Sequence, residues 1–337
     1  MSSLTALPVE VLDAVVENLC LHCTPPKKTD RLDGSIHRQR ICRVTALASL
    51  CLTSRALNQV ATRHLYHRPD CAKWWLLAQT LITRKELRPH VKHLDSLGWK
   101  YIYSQEDPDE VPGYNNKKAW LLERADNIAQ DARATLLSGD GDTDGSMEIM
   151  CSLCPNVERL EVNDGSFEKY FFRPPGSMTE VKHLEVSADD PEYGFNVADL
   201  EVLFLAAPNL ETLVFHEAGH CGELPLTLSH VTRLDLNWCD LNAEAFANVL
   251  RLCPNLENLR YVSKGFGCES SEPFTPRDAK EIIERSTDLK SLRSFHLDMS
   301  QCEAELCWME EEVDVEEELQ DAEEVLTARG INFTFKA

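Results

Sequence analysis

Long apolar runs are missing from this sequence of 337 residues. No stretch approaches the roughly 20 apolar residues that a helix needs to cross a bilayer, so we expect no membrane partner. The N-terminus lacks a basic start followed by an apolar block, and we therefore expect no secretory signal. A glycine-rich phosphate loop and a Ser/His/Asp arrangement are also missing. We expect no enzyme activity, no catalytic residue and no cofactor.

A disulfide framework is missing as well. The thirteen cysteines are odd in number and scattered along a long chain. We expect reduced thiols, many of them buried as small apolar side chains, in a cytoplasmic or nuclear protein. Cys20 with Cys23 and Cys151 with Cys154 have C-x-x-C spacing, but neither pair has an obvious second pair at the spacing of a zinc finger. We therefore predict no metal site.

Basic residues are scarce after the first hundred positions. Residues 1–100 carry 15 Lys and Arg against 8 Asp and Glu, whereas the remaining residues carry 19 against 48. This acidic body does not favour nucleic-acid binding. The most acidic block, residues 303–324, holds 12 acidic residues and no Lys or Arg. We interpret it as a solvated helix face or tail.

One short phrase, by contrast, is present in three copies. The copies are Cys154-Pro-Asn-Val-Glu-Arg-Leu160, Ala207-Pro-Asn-Leu-Glu-Thr-Leu213 and Cys253-Pro-Asn-Leu-Glu-Asn-Leu259. In each copy a turn centred on Asn follows an apolar stretch, and the next apolar residues are spaced by three and then by two positions. This pattern predicts a helix, a turn and a short strand in that order. Similar strand phrases begin at Val91, Val157, Val181, Leu210, Val231, Leu256 and Leu292. Four of the six spacings fall in the range of about 20–29 residues that is typical of leucine-rich repeats, so we expect a degenerate repeat fold that binds rather than catalyses.

Two columns of side chains follow from this alignment. The fourth and sixth positions of each strand phrase face the core, and the third and fifth then point outward. The third position holds His93, Arg159, His183, Thr212, Arg233 and Asn258, and the fifth holds Asp95, Glu161, Glu185, Val214, Asp235 and Arg260. Two interpretations stay open: a self-neutralising solvated sheet, or a surface on which Arg159, His183, Arg233 and Arg260 bind a substrate.

Helices are predicted between and after the strands. Asn242 is placed to cap a helix over Ala243–Leu252, and Thr275 with Pro276 and Asp278 predicts the start of another. The chain should end with a helix over residues 313–328, a stop at Gly330 and a strand over residues 331–335.

The N-terminal module has a different pattern. A helix that starts at the Leu7-Pro8 step carries apolar residues on more than one stripe, so we expect a surplus apolar face that is a candidate partner site. We predict a polar, basic surface loop over residues 24–43 and a second helical region over residues 44–66.

These N-terminal residues resemble an F-box. The resemblance rests on Leu7-Pro8-x-Glu10-Val11-Leu12-x-x-Val15, on Leu47-x-x-Leu50-Cys51-x-x-Ser54-Arg55-x-Leu57 and on Leu65-Tyr66. An F-box followed by degenerate leucine-rich repeats is similar to a large group of fungal F-box proteins. The chain departs from that family in the insertion of roughly 20 residues between its first two helices.

The resemblance implies an α/β fold. A three-helix F-box over residues 1–70 would precede a repeat solenoid over 71–300, with a curved parallel sheet, outer helices and an insertion at 100–150, and an acidic cap over 301–337. It also implies a substrate receptor of an SCF-type (Skp–cullin–F-box) ubiquitin ligase. The adaptor contacts would be Leu7, Pro8, Val11, Leu12, Val15, Leu50 and Cys51. The alternatives are a helical cap that only seals the solenoid and a repeat scaffold without a ligase role.

Two further motifs resemble metal sites. His216-Glu217-Ala-Gly-His220 matches the H-E-x-x-H of zinc proteases, but Gly219 and the preceding strand argue against the helix that this site requires. Asp140-Gly-Asp-Thr-Asp144-Gly145 opens like a calcium loop, yet Cys151 stands where the bidentate Glu should be. We interpret it as an acidic turn, with weak calcium binding as the alternative.

Overall fold

The chain has a mixed α/β fold in which the strands are mainly parallel. The computed structural model describes residues 7–24, 35–69, 74–95, 144–163, 173–188, 194–264, 275–286, 289–300 and 315–336. The chain forms two compact units, Met1–Leu160 (unit 1) and Glu161–Ala337 (unit 2). The third helix also packs on a 3₁₀ helix at Lys85–His90, which lies in unit 1 beyond residue 70, the predicted end of the helical module.

Unit 1 is mainly helical in its described part. Its elements are α1 (Val9–Glu17), α2 (Ser35–Thr53), α3 (Arg55–His67), α4 (Trp74–Thr83), β1 (His93–Asp95) and α5 (Asp144–Leu153), and β2 (Arg159–Asn163) runs across the boundary between the units. The first three helices share one small apolar core, formed by Leu12, Val16, Leu47, Leu57, Val60 and Ala61. Helices this short have marginal stability alone, so this core is what holds them together.

The second helix begins earlier than the sequence predicts. Residues 35–43 are helical rather than part of a loop, because after Gly34 no glycine or proline interrupts the stretch. The predicted helical region over residues 44–66 is in fact two helices, separated at Ser54. Ser54 has extended backbone angles, and its hydroxyl accepts a hydrogen bond from the N–H of Leu57 as the N-cap of α3.

The strands of unit 2 form a parallel sheet with its neighbours in nearly sequential order. The strands are β3 (His183–Ser187), β4 (Phe195–Asn196), β5 (Thr212–His216), β6 (Ala218–His220), β7 (Arg233–Cys239), β8 (Asn258–Ser263), β9 (Ser294–Asp298) and β10 (Asn332–Lys336). The order in this sheet is β3-β5-β7-β8-β9-β10, and β4 pairs separately with β6. Each predicted strand phrase in the unit gives a strand that begins two residues after its first apolar residue.

The register of the sheet confirms the predicted alignment of the repeats. His183, Thr212, Arg233, Asn258 and Ser294 are paired in one row across five strands. The predicted fourth and sixth positions are buried on every one of these strands, from Leu184 and Val186 to Phe295 and Leu297. The period-two alternation of each strand therefore places one side in the apolar core.

The helices of unit 2 largely follow their predicted ends. They are α6 (Glu201–Ala206), α7 (Ala243–Leu252), α8 (Pro276–Arg285) and α9 (Val315–Ala328). The Asn242 side chain accepts from the N–H of Ala245, and Thr275 with Asp278 forms a complete capping box. Gly330 follows α9 with a φ of 79°, a left-handed conformation that glycine adopts readily.

The asparagine of the repeated phrase makes the same bond in all three copies. The side-chain amides of Asn156, Asn209 and Asn255 donate to the carbonyl oxygens of Pro89, Thr179 and Ser229, at 3.1, 2.9 and 2.8 Å. Each acceptor lies two residues before the strand phrase of the preceding repeat. The residues two positions earlier in the phrase, Cys154, Ala207 and Cys253, are buried. The repeated phrase thus forms a turn whose asparagine side chain is hydrogen-bonded to the backbone of the corresponding turn in the preceding repeat.

We expect Asn255→Asp to lower the free energy of unfolding by about 1 kcal/mol, because the carboxylate keeps the size of the amide but cannot donate to Ser229. Urea denaturation measures the change. Asn332→Asp is the control, since it adds the same charge at an exposed side chain of β10. Equal losses in the two variants would contradict a structural role for the turn bond.

Candidate functional site

The first helix carries apolar side chains on two different faces. Leu12 and Val16 point into the core of the three-helix module. Leu7, Val11 and Val15, which follow each other at intervals of four residues, are 39, 43 and 45% exposed. Residues four apart lie on one side of a helix, so Val11 and Val15 share an exposed face of α1, and Leu7 is exposed just before the N-cap residue Pro8. These three residues are here called the α1 stripe. The predicted surplus face is thus present on the surface of the protein.

The other predicted adaptor contacts differ in their exposure to solvent. Leu12 is 2% exposed and belongs to the module's own core, so it is not available to a partner. The helical period explains this difference, because Leu12 is one residue from Val11 and therefore about 100° around the helix. Pro8 is exposed at the N-cap of α1, and Leu50 and Cys51 are half-buried against the core.

The predicted acidic column of the sheet is buried rather than exposed. Glu185 on β3 and Asp235 on β7 occupy the fifth position of their strand phrases, and both are almost fully buried. Asp95 of β1 is equally buried in unit 1. A buried carboxylate requires a basic partner, and each of these has one within the same unit. Glu185 lies 3.0 Å from Nε2 of His216, and Asp95 accepts from Arg68 at 3.0 Å.

Two of the four basic residues predicted to bind a substrate, Arg233 and His183, contact these acids. Arg233 donates to both carboxylate oxygens of Asp235, at 3.2 and 2.7 Å, and this hydrogen bonding raises the pKa of its guanidinium. His183 lies 3.6 Å from Glu185, and Arg260 donates to the side chain of Asn237. Arg159 is half-buried at the start of β2 in unit 1. The interpretation of the columns as self-neutralising fits this pattern, although Arg233 keeps a 47% exposed side chain.

An exposed tryptophan was not singled out from the sequence. Trp238, near the end of β7, has a φ of 60° and a side chain that leaves the residue 52% exposed. Glu217, at the equivalent step after β5, has a φ of 66°. In both repeats this left-handed residue precedes a fully buried one, Ala218 or Cys239. The left-handed backbone conformation directs its own side chain outward and the next side chain into the core. The pattern of residue types in the sequence does not indicate this conformation.

The H-E-x-x-H motif is not on a helix, as predicted. His216 ends β5 and His220 ends β6, with the left-handed Glu217 between them. His216 is engaged by Glu185 of the neighbouring strand. The two histidines therefore lack the shared helical face that the catalytic zinc site of a metalloprotease requires.

The structure brings a second pair of ligand-type residues to one of the C-x-x-C pairs. Cys20 and Cys23 lie in the turns after α1, and His64 and His67 lie on the last turns of α3. The Nδ1 atom of His67 is 3.6 Å from Sγ of Cys20 and 3.4 Å from Sγ of Cys23, and Nδ1 of His64 is 3.8 Å from Sγ of Cys23. We call these four residues the Cys/His cluster. The H-x-x-H on α3, which was not singled out from the sequence, is the signal that could have indicated this cluster.

Burial shifts the pKa values of two members of this cluster, His67 and Cys23. Burial lowers the pKa of His67 to about 4, and the neighbouring His64 and His22 contribute in the same direction. Burial also raises the pKa of the Cys23 thiol to about 12, assisted by Cys20. His22, whose pKa burial lowers, faces Glu158 at 3.7 Å and stands beside the cluster.

Other cysteines are packed as small apolar side chains, as predicted. Cys151 and Cys154, the second C-x-x-C pair, are buried, and burial raises the pKa values of Cys221, Cys239 and Cys253 to about 12. The calcium-like segment lies outside the described residues up to position 143, and its last two residues begin α5. Weak calcium binding there stays an untested alternative.

Comparison of the chain with protein-family models, curated proteins and solved structures found no match. Within the described residues, no helix combines the length and the apolar character needed to cross a membrane. The candidate functional features of the described residues are therefore the α1 stripe, the paired sheet charges, Trp238 and the Cys/His cluster.

A double-mutant cycle on Arg233→Ala and Asp235→Asn tests whether Arg233 is a structural partner. We expect a coupling free energy of about 1 kcal/mol, because hydrogen bonds between charged groups at a buried carboxylate are stronger than those at the surface. The exposed pair Lys182 and Glu211 provides the control cycle, with a coupling below about 0.5 kcal/mol. Additive losses at Arg233 and Asp235, measured by urea denaturation, would leave Arg233 free for a substrate.

Proposed function

We propose that this protein is the substrate-recognition subunit of an SCF-type E3 ubiquitin ligase. Its N-terminal helices bind a Skp-family adaptor, and through it a cullin, while its repeated strands bind a protein substrate. The proposal rests on the resemblance of the first 70 residues to an F-box and of the following repeats to degenerate leucine-rich repeats. The protein has no catalytic role in this assignment, since ubiquitin transfer belongs to other subunits.

The α1 stripe is the observation that carries the proposal. A helix of nine residues that buries Leu12 and Val16 against its own module has no structural need for Val11 and Val15 on the other side. Exposed apolar side chains in a continuous stripe mark a surface that another protein covers. The stripe lies on the helix where the resemblance places the adaptor contacts Leu7, Pro8, Val11 and Val15.

The departure from the family pattern is smaller than the sequence suggests. Much of the inserted segment between the first two helices extends α2 at its N-terminus, from Ser35. The segment that packs in the core begins near Leu47, so the extension leaves the three-helix core intact. Leu50 and Cys51, half-buried on α2, are the remaining residues that the resemblance assigns to the adaptor surface.

The repeat strands offer a more limited substrate surface than the predicted columns. Because the acids are buried and paired, the exposed groups of β7 that remain for a partner are Trp238 and the outer part of Arg233. Tryptophan and arginine are the residues that contribute most often to binding free energy at protein interfaces. We therefore propose that the substrate contacts β7, with His183 and Arg260 in supporting or structural roles. Arg159 lies in unit 1 and is not assigned to this contact.

The combined change Leu7→Ser and Val11→Ser should weaken binding of a purified Skp-family adaptor about 30-fold or more, because the loss of apolar contact area is worth about 2 kcal/mol. Pro8 is kept because it is the N-cap residue of α1. Isothermal titration calorimetry measures the affinity. The control Leu76→Ser, which changes a 45% exposed leucine of α4, should bind normally. Tight adaptor binding by the double variant, or none by the unchanged protein, would leave the repeat scaffold as the function.

Trp238→Asn should abolish substrate recovery without changing adaptor affinity, since asparagine tolerates the left-handed backbone but removes the ring. Affinity purification with mass spectrometry identifies proteins that depend on Trp238. In a reconstituted ubiquitination reaction, the ligase complex that contains the unchanged chain should modify such a protein. Complexes prepared with the Trp238→Asn variant, or with the Leu7→Ser and Val11→Ser double variant, should not modify it. A protein modified equally by all three complexes would place the substrate site elsewhere.

A further inference from the structure

We propose that Cys20, Cys23, His64 and His67 bind one Zn²⁺ ion that fastens the turn after α1 to the C-terminal end of α3. This site does not depend on the proposed ligase function. It rests on two pairs of side chains, Cys20 with Cys23 and His64 with His67, which lie more than 40 residues apart in the sequence and meet in unit 1.

The donor set is that of a structural zinc site. Two cysteines and two histidines form a common tetrahedral arrangement, with C-x-x-C on a turn and the histidine pair on a helix. His64 and His67 are three residues apart on α3, so both rings lie on the side that faces Cys20 and Cys23. Thiolate and imidazole ligands select zinc over the magnesium and calcium that carboxylates prefer.

The distances fit a single ion at the centre of the cluster. With metal bonds of about 2.3 Å to sulfur and 2.0–2.1 Å to nitrogen, a tetrahedral site places sulfur and nitrogen ~3.6 Å apart. The measured separations between sulfur and Nδ1 atoms are 3.4, 3.6 and 3.8 Å. The four ligand atoms all lie within 4.8 Å of one another. No change of fold is needed to place an ion among them.

A carboxylate orients one of the proposed ligands from outside the cluster. Nε2 of His64 lies 3.0 Å from Oδ1 of Asp13, so the ring donates to the carboxylate on one side and presents Nδ1 to the cysteines on the other. Zinc-bound histidines usually donate their second ring nitrogen in this way. Asp13 is also held by Arg63, at 3.1 Å. The arrangement selects the tautomer that a metal at Nδ1 requires.

Four protein ligands leave no open coordination position, so the ion has a structural role. It would connect the residues that follow α1 directly to α3, immediately before the inserted segment begins. That connection fixes the end of α1 whatever the conformation of the insertion. Loss of zinc should therefore loosen the helix that carries the α1 stripe.

Metal content and cobalt spectroscopy test the site on untagged full-length protein kept reduced with a phosphine. We expect about one equivalent of zinc per chain by inductively coupled plasma mass spectrometry. Replacement by Co²⁺ should give the visible bands of a tetrahedral ion and a thiolate charge-transfer band. A strong chelator should lower the first melting transition by about 5 °C or more, and added Zn²⁺ should restore it.

Three variants separate binding from folding. Cys20→Ser with Cys23→Ser should lose zinc, whereas Cys42→Ser, at an exposed cysteine of α2, should retain it. His67→Cys keeps four ligands and should retain zinc with a stronger thiolate band, whereas His67→Ala should bind it at least about 10-fold more weakly. The proposal is wrong if the unchanged protein takes up neither zinc nor cobalt, or if the double cysteine variant retains a full equivalent.

Discussion

The bond from each turn asparagine to the preceding turn is the interaction on which the repeats depend. A parallel strand cannot be joined to its neighbour by a tight hairpin, so each repeat must return by a longer crossover and begin its strand at the correct height. The amides of Asn156, Asn209 and Asn255 fix that height because each donates to the backbone two residues before the preceding strand phrase. Backbone bonds then continue the pattern: at the starts of β2, β5, β7, β8 and β9, the N–H groups of two successive residues share one carbonyl of the previous repeat. The apolar positions enter the core as a consequence of this register.

The same register determines what the sheet can do at its outer positions. Carboxylates at one row of the sheet are buried, and their nearest basic side chains lie on the same strand or on the next, as with Asp235 and Arg233 or Glu185 and His216. A cation that stabilises a buried carboxylate is not freely available to a partner, because its removal leaves a desolvated charge. A partner must then be recognised by side chains that do not stabilise these buried carboxylates. Trp238 meets this condition, since the left-handed backbone takes it out of the sheet row and returns Cys239 to the core.

The sequence predicts what is local and periodic, and it fails where distant segments meet. The caps at Asn242 and Thr275 and the strand starts were predictable, because each depends on residues within one turn or one strand. The beginning of α2 at Ser35 was not, because a polar, basic stretch without breakers has the composition of both a surface loop and an exposed helix. The burial of Asp235 depends on its neighbours in the folded sheet.

The meeting of Cys20 and Cys23 with His64 and His67 requires the packing of α1 on α3, which no spacing in the chain encodes. Family resemblance alone supplied the ligase hypothesis.

The packing of α1 on α3 also explains how a short helix can present a defined surface. Nine residues have little helical stability of their own, so the orientation of α1 must come from tertiary contacts. These contacts run along its length: Leu12 and Val16 pack with residues of α3 in the shared core, Asp13 pairs with Arg63 and His64, and Cys20 reaches His64 and His67 beyond its end. A surface that is already fixed loses less conformational entropy when a partner binds. The α1 stripe and the Cys/His cluster are therefore two consequences of one helix pair, because α3 fixes the inner side of α1 and thereby leaves its outer side in a single orientation for a partner.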